Sequence, residues 1–205
     1  MRETGTTDES TREQSNGRRL VVENKVTLDG IFDKQSEWQM QFWEDPDELV
    51  RHSKAHITEF DALLLGRVTY QGLAAVWPSM TDDVGYADWI NSVPKHIVST
   101  TLATDEMEWN ARLITENVTD EVAALKRQPG QDILMVGSGA LLDTLMQHDL
   151  VDEYRLLVHP VVQGSGKRLF RGATAPTTMK LVDTAAVGSG VVVLTYEPSE
   201  EEDGE

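Results

Sequence analysis

The chain contains no cysteine. That excludes a disulfide framework, a zinc–thiolate centre and a thiol nucleophile. It has no apolar run near the roughly 20 residues needed to span a bilayer, and the N-terminus carries no apolar signal-type segment. Basic residues are scarce: 18 Lys and Arg against 35 Asp and Glu, a formal net charge of −17. A surface of that sign repels nucleic acid and anionic lipid, so neither is expected as a partner. The expected location is cytoplasmic.

What is present fits one domain. A length of 205 residues with 40% hydrophobic content supports a single core, one that buries roughly 70% of the unfolded surface. Residues 1–17 hold almost nothing apolar and are expected to be a disordered tail. Residues 199–205 continue an acidic, solvated end. The folded domain is expected at 18–198.

The stretch Asp132-Ile-Leu-Met-Val-Gly-Ser-Gly-Ala-Leu-Leu-Asp143 is the most informative. A short apolar run reads as a buried strand, Gly137-Ser138-Gly139 turns the chain, and Ala140, Leu141, Leu142, Leu145 and Met146 follow at helical spacing. Free N–H groups and the positive end of a helix dipole then meet at one point, which favours an anion. The dinucleotide pattern GxGxxG is half met, since Leu142 stands at its third glycine. A phosphate loop and a plain βα turn both fit. Asp152 and Glu153 lie near the spacing of a ribose-binding acid, about 20 residues on, but at the start of a strand.

Elsewhere, Arg19–Leu28 reads as a first strand, followed by an aromatic loop with Phe32, Trp38, Phe42 and Trp43. Asp45-Pro46-Asp47-Glu48 predicts a helix start, with Leu49, Ser53, Ile57 and Phe60 on one face. Ala62–Leu65 is a second buried strand leading through Gly66 into a helix that Pro78 ends. Helical residues 87–92, strands at 96–99 and 112–115 and a helix at 120–127 precede the glycine stretch. Strands at 154–162, 179–183 and 191–196 follow, the last two joined by Gly188-Ser189-Gly190 as a hairpin. The order βαβα with a strand-rich end implies a largely parallel sheet with antiparallel closing strands. Gly164-Ser165-Gly166-Lys167 is not a P-loop, because Val161 and Arg168 occupy two of its required positions. His52 and His56 lie one helical turn apart with no third ligand nearby, so no metal site is expected.

Several ordered segments together resemble a known family: Thr27-Leu-Asp-Gly30, Asp61–Tyr70, Val98–Leu102, Asp132–Gly139, Leu150–Tyr154 and Pro160–Phe170. They are similar to the dihydrofolate reductase-like family, and more narrowly to stand-alone relatives of the riboflavin-biosynthesis reductase domain (RibD C-terminal). The resemblance runs from about Arg19 to Pro198. It implies a dihydrofolate reductase-like three-layer α/β sandwich, a homodimer, and NADPH as cofactor. Gly66, Arg67 and Thr69 at a strand end, with Ser99, Thr100 and Thr101 at the next, then suit a 2′-phosphate. Gly137, Ser138, Gly139, Ala140 and Leu141 take the pyrophosphate side.

For the reaction, the resemblance places Glu48 as the acid that holds the substrate, with Asp29 as its rival, and Thr27 and Trp43 as substrate contacts. The activity implied is NADPH-dependent reduction of a pterin-like or other small heterocycle. A riboflavin-pathway ribosylamino-pyrimidine reductase, or a non-catalytic nucleotide-binding protein on the same fold, are the alternatives. No deaminase zinc signature accompanies the domain.

Overall fold

The computed structural model describes residues 17–33, 35–43, 46–171 and 176–199, apart from the side chains of residues 35, 36, 46–51 and 106. Nearly all of both expected tails, and the N-cap expected at Asp45, lie outside the described residues. The elements are β1 (Leu20–Thr27), α1 (Gln35–Trp38), α2 (Pro46–Ile57), β2 (Phe60–Gly66), α3 (Arg67–Ala74), α4 (Tyr86–Ser92) and β3 (Lys95–Val98). They continue with β4 (Ala111–Ile114), α5 (Val118–Lys126), β5 (Asp132–Val136), α6 (Gly139–Met146), β6 (Glu153–His159), β7 (Met179–Val187) and β8 (Val191–Pro198).

The strands form one eight-stranded sheet in the order β4-β3-β2-β5-β1-β6-β8-β7. The first six are parallel, and β8 runs antiparallel to both β6 and β7. This is the mostly parallel sheet with antiparallel closing strands that the sequence implies. Strand alternation divides the core between two faces. Leu20, Val22, Leu64, Ile133 and Met135 pack against Val122 and Leu125 of α5 and Leu142 and Leu145 of α6. Val21, Leu63, Leu65, Leu134 and Ile97 face the other way, onto Tyr70 of α3 and Ile90 of α4. Each such side chain contributes about 1.5–3 kcal/mol on burial, so both faces are held by packing and the molecule has three layers.

Boundaries depart from the sequence reading where proline or pairing intervenes. Pro78 does not end α3, which stops at Ala74; it sits in a separate 3₁₀ turn at Trp77–Ser79. Phe60 belongs to β2, where it is buried, and does not extend the face of α2. β6 stops at His159 because Pro160 has no N–H for a ladder. β7 extends to Val187, past the expected Asp183, because it pairs along the whole of β8 across a register shift between Leu181 and Asp183. No helix among the described residues is long and apolar enough to cross a membrane.

Charges at the N-terminal ends of the strands are tied to one another. Arg18 pairs with Asp61. Arg19 reaches Glu153 (3.1 Å) and Glu197 (2.7 Å), and Arg155 reaches Glu59 (2.7 Å) and Glu153 (2.5 Å). Lys126 lies 2.6 Å from Asp152, whose carboxylate also accepts the Leu20 N–H. The sequence spacing of Asp152 and Glu153 from the glycine turn therefore carries no ribose contact: β6 begins there, at the opposite end of a parallel sheet.

Candidate active site

β2 and β5 are neighbours, yet the helices that leave them part company. α3 packs on one face of the sheet and α6 on the other. At the C-terminal ends of these two strands the chain splits, which opens a crevice where ligands bind in open α/β sheets. A cavity of about 1040 Å³ lies there, lined by residues of both helix starts, the β1 strand and α4. That is at the upper end of the roughly 300–1,000 Å³ of small-molecule sites.

The glycine turn is shaped by close approach. Gly137 and Ser138 both have positive φ, 62° and 58°. A Cβ on Gly137 would stand 2.7 Å from Thr69 Oγ1, and one on Gly139 would stand 2.9 Å from the Phe32 ring. Ser138 Oγ accepts the Gly66 N–H at 2.7 Å and lies 3.0 Å from Thr69 Oγ1. The Gly137 N–H donates to Asn24 Oδ1 at 2.9 Å. These bonds clasp the middle of β1 to the ends of β2 and β5. Because Ser138 spends its hydroxyl on Gly66, it does not cap its own helix, and Gly66 has no side chain with which to cap α3. Two first turns thus present N–H groups toward one cavity, with their dipoles favouring an anion.

Cations join them. Arg67 and Lys167 line the cavity, are exposed, and have no carboxylate partner among the described residues; Arg67 reaches only Gln71, at 3.4 Å. Thr100 also lines it. Ser99 lines it too, but its buried Oγ accepts the N–H groups of Thr101 and Leu102, both at 3.1 Å, which makes the hydroxyl the former of that turn. Thr101 is absent from the lining and lies with its Oγ1 3.3 Å from Ser99 Oγ. Of the expected cofactor residues, Gly66, Arg67, Thr69, Ser99, Thr100, Gly137, Ser138, Gly139, Ala140 and Leu141 all meet in this one cavity.

The expected substrate residues are distributed differently. Glu48 lies in the first turn of α2, and its side chain is outside the described residues; Ser53, further along the same helix, lines the cavity. Asp29 is committed to the turn after β1. Its carboxylate accepts from Thr27 Oγ1 (2.6 Å), the Gln163 N–H (3.1 Å) and the Gly164 N–H (2.8 Å), and these bonds, the Thr27 hydroxyl first, hold it down to about 2. A carboxylate so engaged is a poor proton donor near neutrality. Thr27 is buried, and its Oγ1 also accepts the Ile31 N–H at 2.9 Å. Trp43 packs on Leu157 and Val191 beneath β6 and β8 and does not line the cavity. His52 stacks near Trp43 and His56, while His56 Nδ1 sits 3.2 Å from Glu59.

The same turn joins two loops into one rim. Leu28 N–H donates to Val161 O, Phe32 N–H to Lys167 O and Leu169 N–H to Gly30 O, all within 3.1 Å. Arg168 Nη1 adds a bond to Asp29 O at 2.5 Å.

Three residues escaped the sequence reading: Glu23, Asn24 and Lys25, all on β1 and all lining the cavity. A signal was present. A central strand of a parallel sheet, covered on both faces, should read as continuously apolar, and Leu20-Val-Val-Glu-Asn-Lys-Val26 is broken by three polar residues in its middle. Asn24 is 3% exposed and its Nδ2 has no partner among the described residues. Burial pushes the Lys25 ammonium below its ordinary value, with the Glu23 charge opposing that shift.

Comparison with known proteins places this architecture. The Bacillus subtilis (strain 168) protein YyaP, itself uncharacterized, is 33% identical over 185 residues, covering 87% of this chain and 94% of its own. A putative riboflavin biosynthesis protein from Shewanella sp. PV-4 superposes with a TM-score of 0.72 at 20% identity, over 89% of this chain and 99% of that one. Dihydrofolate reductase from Enterococcus faecalis, solved in complex with NADP(H) and RAB-propyl, gives a TM-score of 0.56 at 14% identity, covering 89% and 97%. The fold is thus dihydrofolate reductase-like. The RibD C-terminal domain model matches residues 18–193, and with the clasped glycine turn, the switch-point cavity and the sheet order all in agreement, the chain belongs to the RibD C-terminal domain family.

Proposed function

We propose that this protein is an NADPH-dependent reductase of a small, pterin-like heterocycle. One observation carries the reading: two uncapped helix starts, α3 and α6, face a single cavity together with Arg67 and Lys167, in a chain otherwise strongly acidic. That donor set suits the phosphates of a dinucleotide. First-turn N–H groups of Gly139, Ala140 and Leu141 suit the pyrophosphate. Arg67, with the hydroxyl of Thr100, suits a 2′-phosphate, which distinguishes NADPH from NADH. Gly137 and Gly139 keep the turn free of Cβ atoms where backbone and ligand would meet.

When bound, the dinucleotide supplies a hydride. The protein's part is to hold the acceptor heterocycle beside it, to exclude water and to aid protonation of the substrate nitrogen. Glu48, in the first turn of α2, is the residue whose position resembles the substrate carboxylate of this fold. The riboflavin-pathway reading, reduction of a ribosylamino-pyrimidine, draws support from the likeness to riboflavin biosynthesis proteins. A homodimer also belongs to the proposal: β7 is an edge strand exposing Leu181 and Val182 at about half their surface, and a second copy covering it would remove an open edge.

Titration of NADPH and NADH by fluorescence tests the reading. NADPH is expected to bind at least about tenfold more tightly, since each charge-assisted phosphate bond contributes roughly 1.5–3 kcal/mol. Arg67→Ala should erase most of that preference while leaving NADH affinity near wild type. Equal affinities in the wild-type protein would sink the phosphate assignment. Oxidation of NADPH by any member of a panel of dihydropterins, dihydrofolate and ribosylaminopyrimidines separates an enzyme from a silent binder.

A further inference from the structure

The aromatic side chains on the α3–α4 face of the sheet fall into two groups. Tyr70, Trp89 and Trp109 spend their polar tips on the protein. The Tyr70 hydroxyl donates to Glu108 O at 3.1 Å and accepts the Glu108 N–H at 3.0 Å. Trp89 Nε1 donates to Phe60 O at 3.1 Å, and Trp109 Nε1 donates to Asn91 Oδ1 at 2.6 Å. Trp77 and Tyr86 pack in the same cluster, yet among the described residues neither the indole N–H of Trp77 nor the hydroxyl of Tyr86 is bonded. Tryptophan and tyrosine drawn into a core ordinarily pair these atoms. The two that do not are half-buried, and they are the two of the five that line the cavity.

Both rings are held in place by contacts away from the cavity. The Asp82 carboxylate accepts the N–H groups of Val84 (2.9 Å), Tyr86 (3.0 Å) and Ala87, which fixes the first turn of α4. Asn91 Nδ2 donates to Trp77 O at 3.0 Å, while its Oδ1 is the partner of Trp109. The Trp77 and Tyr86 ring centroids lie 5.1 Å apart at 54°, and Tyr86 and Trp89 lie 5.5 Å apart at 48°. Trp77 and Tyr86 therefore meet as a corner, which offers a third ring one face and one edge, the contacts that aromatic rings favour. A ligand would lose little in ordering a corner that the protein has already ordered.

α3 connects this corner to the helix start. Arg67 and Val68 of its first turn and Leu73 near its last all line the cavity. The axis rises roughly 10 Å from Arg67 to Ala74, and Trp77 follows the far end. Resting on the reductase reading above, we propose that Trp77 and Tyr86 are the ring-binding subsite for the substrate, taking a flat, π-electron heterocycle by stacking while the dinucleotide occupies the helix starts.

The probe is biopterin, a flat and fluorescent pterin, titrated into the full chain saturated with NADP⁺. Its emission should be quenched on binding, the signature of a ring stacked on indole. Trp77→Leu and Tyr86→Leu keep apolar bulk and remove the π-face. Each should weaken biopterin about tenfold or more, as for the loss of an aromatic that stacks on a base, and Trp77→Leu should abolish most of the quenching. Trp77→Phe and Tyr86→Phe retain a π-face and should bind within about threefold of wild type. NADP⁺ affinity should be unchanged in all four, and with the melting temperature it reports that the fold is intact. Biopterin affinity at the wild-type level in both leucine variants would overturn the proposal. So would phenylalanine variants as weak as the leucine ones, or no binding of biopterin at millimolar concentration. A loss of NADP⁺ affinity in the leucine variants would place a ring of the dinucleotide in the corner and overturn it too. If the wild-type protein fails to bind NADP⁺, the reductase reading falls and takes this inference with it.

Discussion

The two ends of the parallel sheet use charge in opposite ways. At the N-terminal ends of the strands, Arg18, Arg19, Lys126 and Arg155 each hold a carboxylate, and Glu153 is shared between two arginines. At the C-terminal ends, among the described residues, Arg67 and Lys167 line the cavity with no acidic partner, Glu23 has no bonded donor, and Asn24 leaves its Nδ2 unpaired. Buried polar groups that pair with one another serve the fold; groups held apart from partners at a fixed place are available to something that arrives. On the function proposed above, one end serves stability and the other binding.

Substitutions at the two ends should therefore separate in what they change. The largest effect is expected for Glu48→Gln: turnover of any substrate found in the panel should fall about 10²–10⁴-fold, the usual range for a positioned acid or base, with NADPH affinity retained. Normal turnover in this variant would return the search to Glu23. Next comes Gly137→Val. A Cβ there would stand 2.7 Å from Thr69 Oγ1 on a backbone at φ 62°, so NADPH affinity should drop about a hundredfold, read by fluorescence, along with a strain cost of about 1–3 kcal/mol.

The paired end gives a smaller, pH-dependent effect and should not touch binding. Glu59 is held down to about 2, chiefly by the hydrogen bond from His56 and then by Arg155, and the same bond raises His56. A depressed carboxylate contributes stability that is present above its unfolded value near 4.5 and is lost as pH falls toward 2. A raised histidine contributes fully below about 6.5 and loses its share above that. The pair should thus stabilise most between about pH 4.5 and 6.5. Glu59→Gln should flatten the melting profile across that window, lowering stability by about 0.2–1 kcal/mol after allowance for solvent screening, with NADPH affinity unchanged. The smallest effect is expected from removing residues 1–16 and 200–205, which should move neither melting temperature nor cofactor affinity; a loss of several degrees would show that a tail docks.

Much of the architecture is legible in the sequence because strand and helix periods are strong in buried segments. Asp132–Val136, Gly137-Ser138-Gly139 and the helix after them can be read almost to the residue. The proposed phosphate side is legible for the same reason: glycine at a positive φ and a helix start are local features. The β1 wall of the cavity is not local. Glu23 and Lys25 look like the polar half of an alternating strand until β1 proves to have neighbours on both sides, and then their burial needs a reason. Asp29 sits at a strand end as an active-site acid would, but its carboxylate is used by Gln163 and Gly164, more than a hundred residues away, a contact no local pattern announces. Trp43 is drawn under the sheet by Leu157 and Val191, again from distant segments.

The stitched rim has a mechanical consequence. Residues 27–33 and 161–169 are separate in sequence but share backbone bonds at Leu28–Val161, Phe32–Lys167 and Gly30–Leu169, so they transmit force as a single plate. Lys167 stands at its outer margin, and Phe32 at its inner one presses against Gly139, where a Cβ would stand 2.9 Å from the ring. The Lys167 segment at the mouth and the helix start at Gly139 are therefore joined through one bonded piece of backbone.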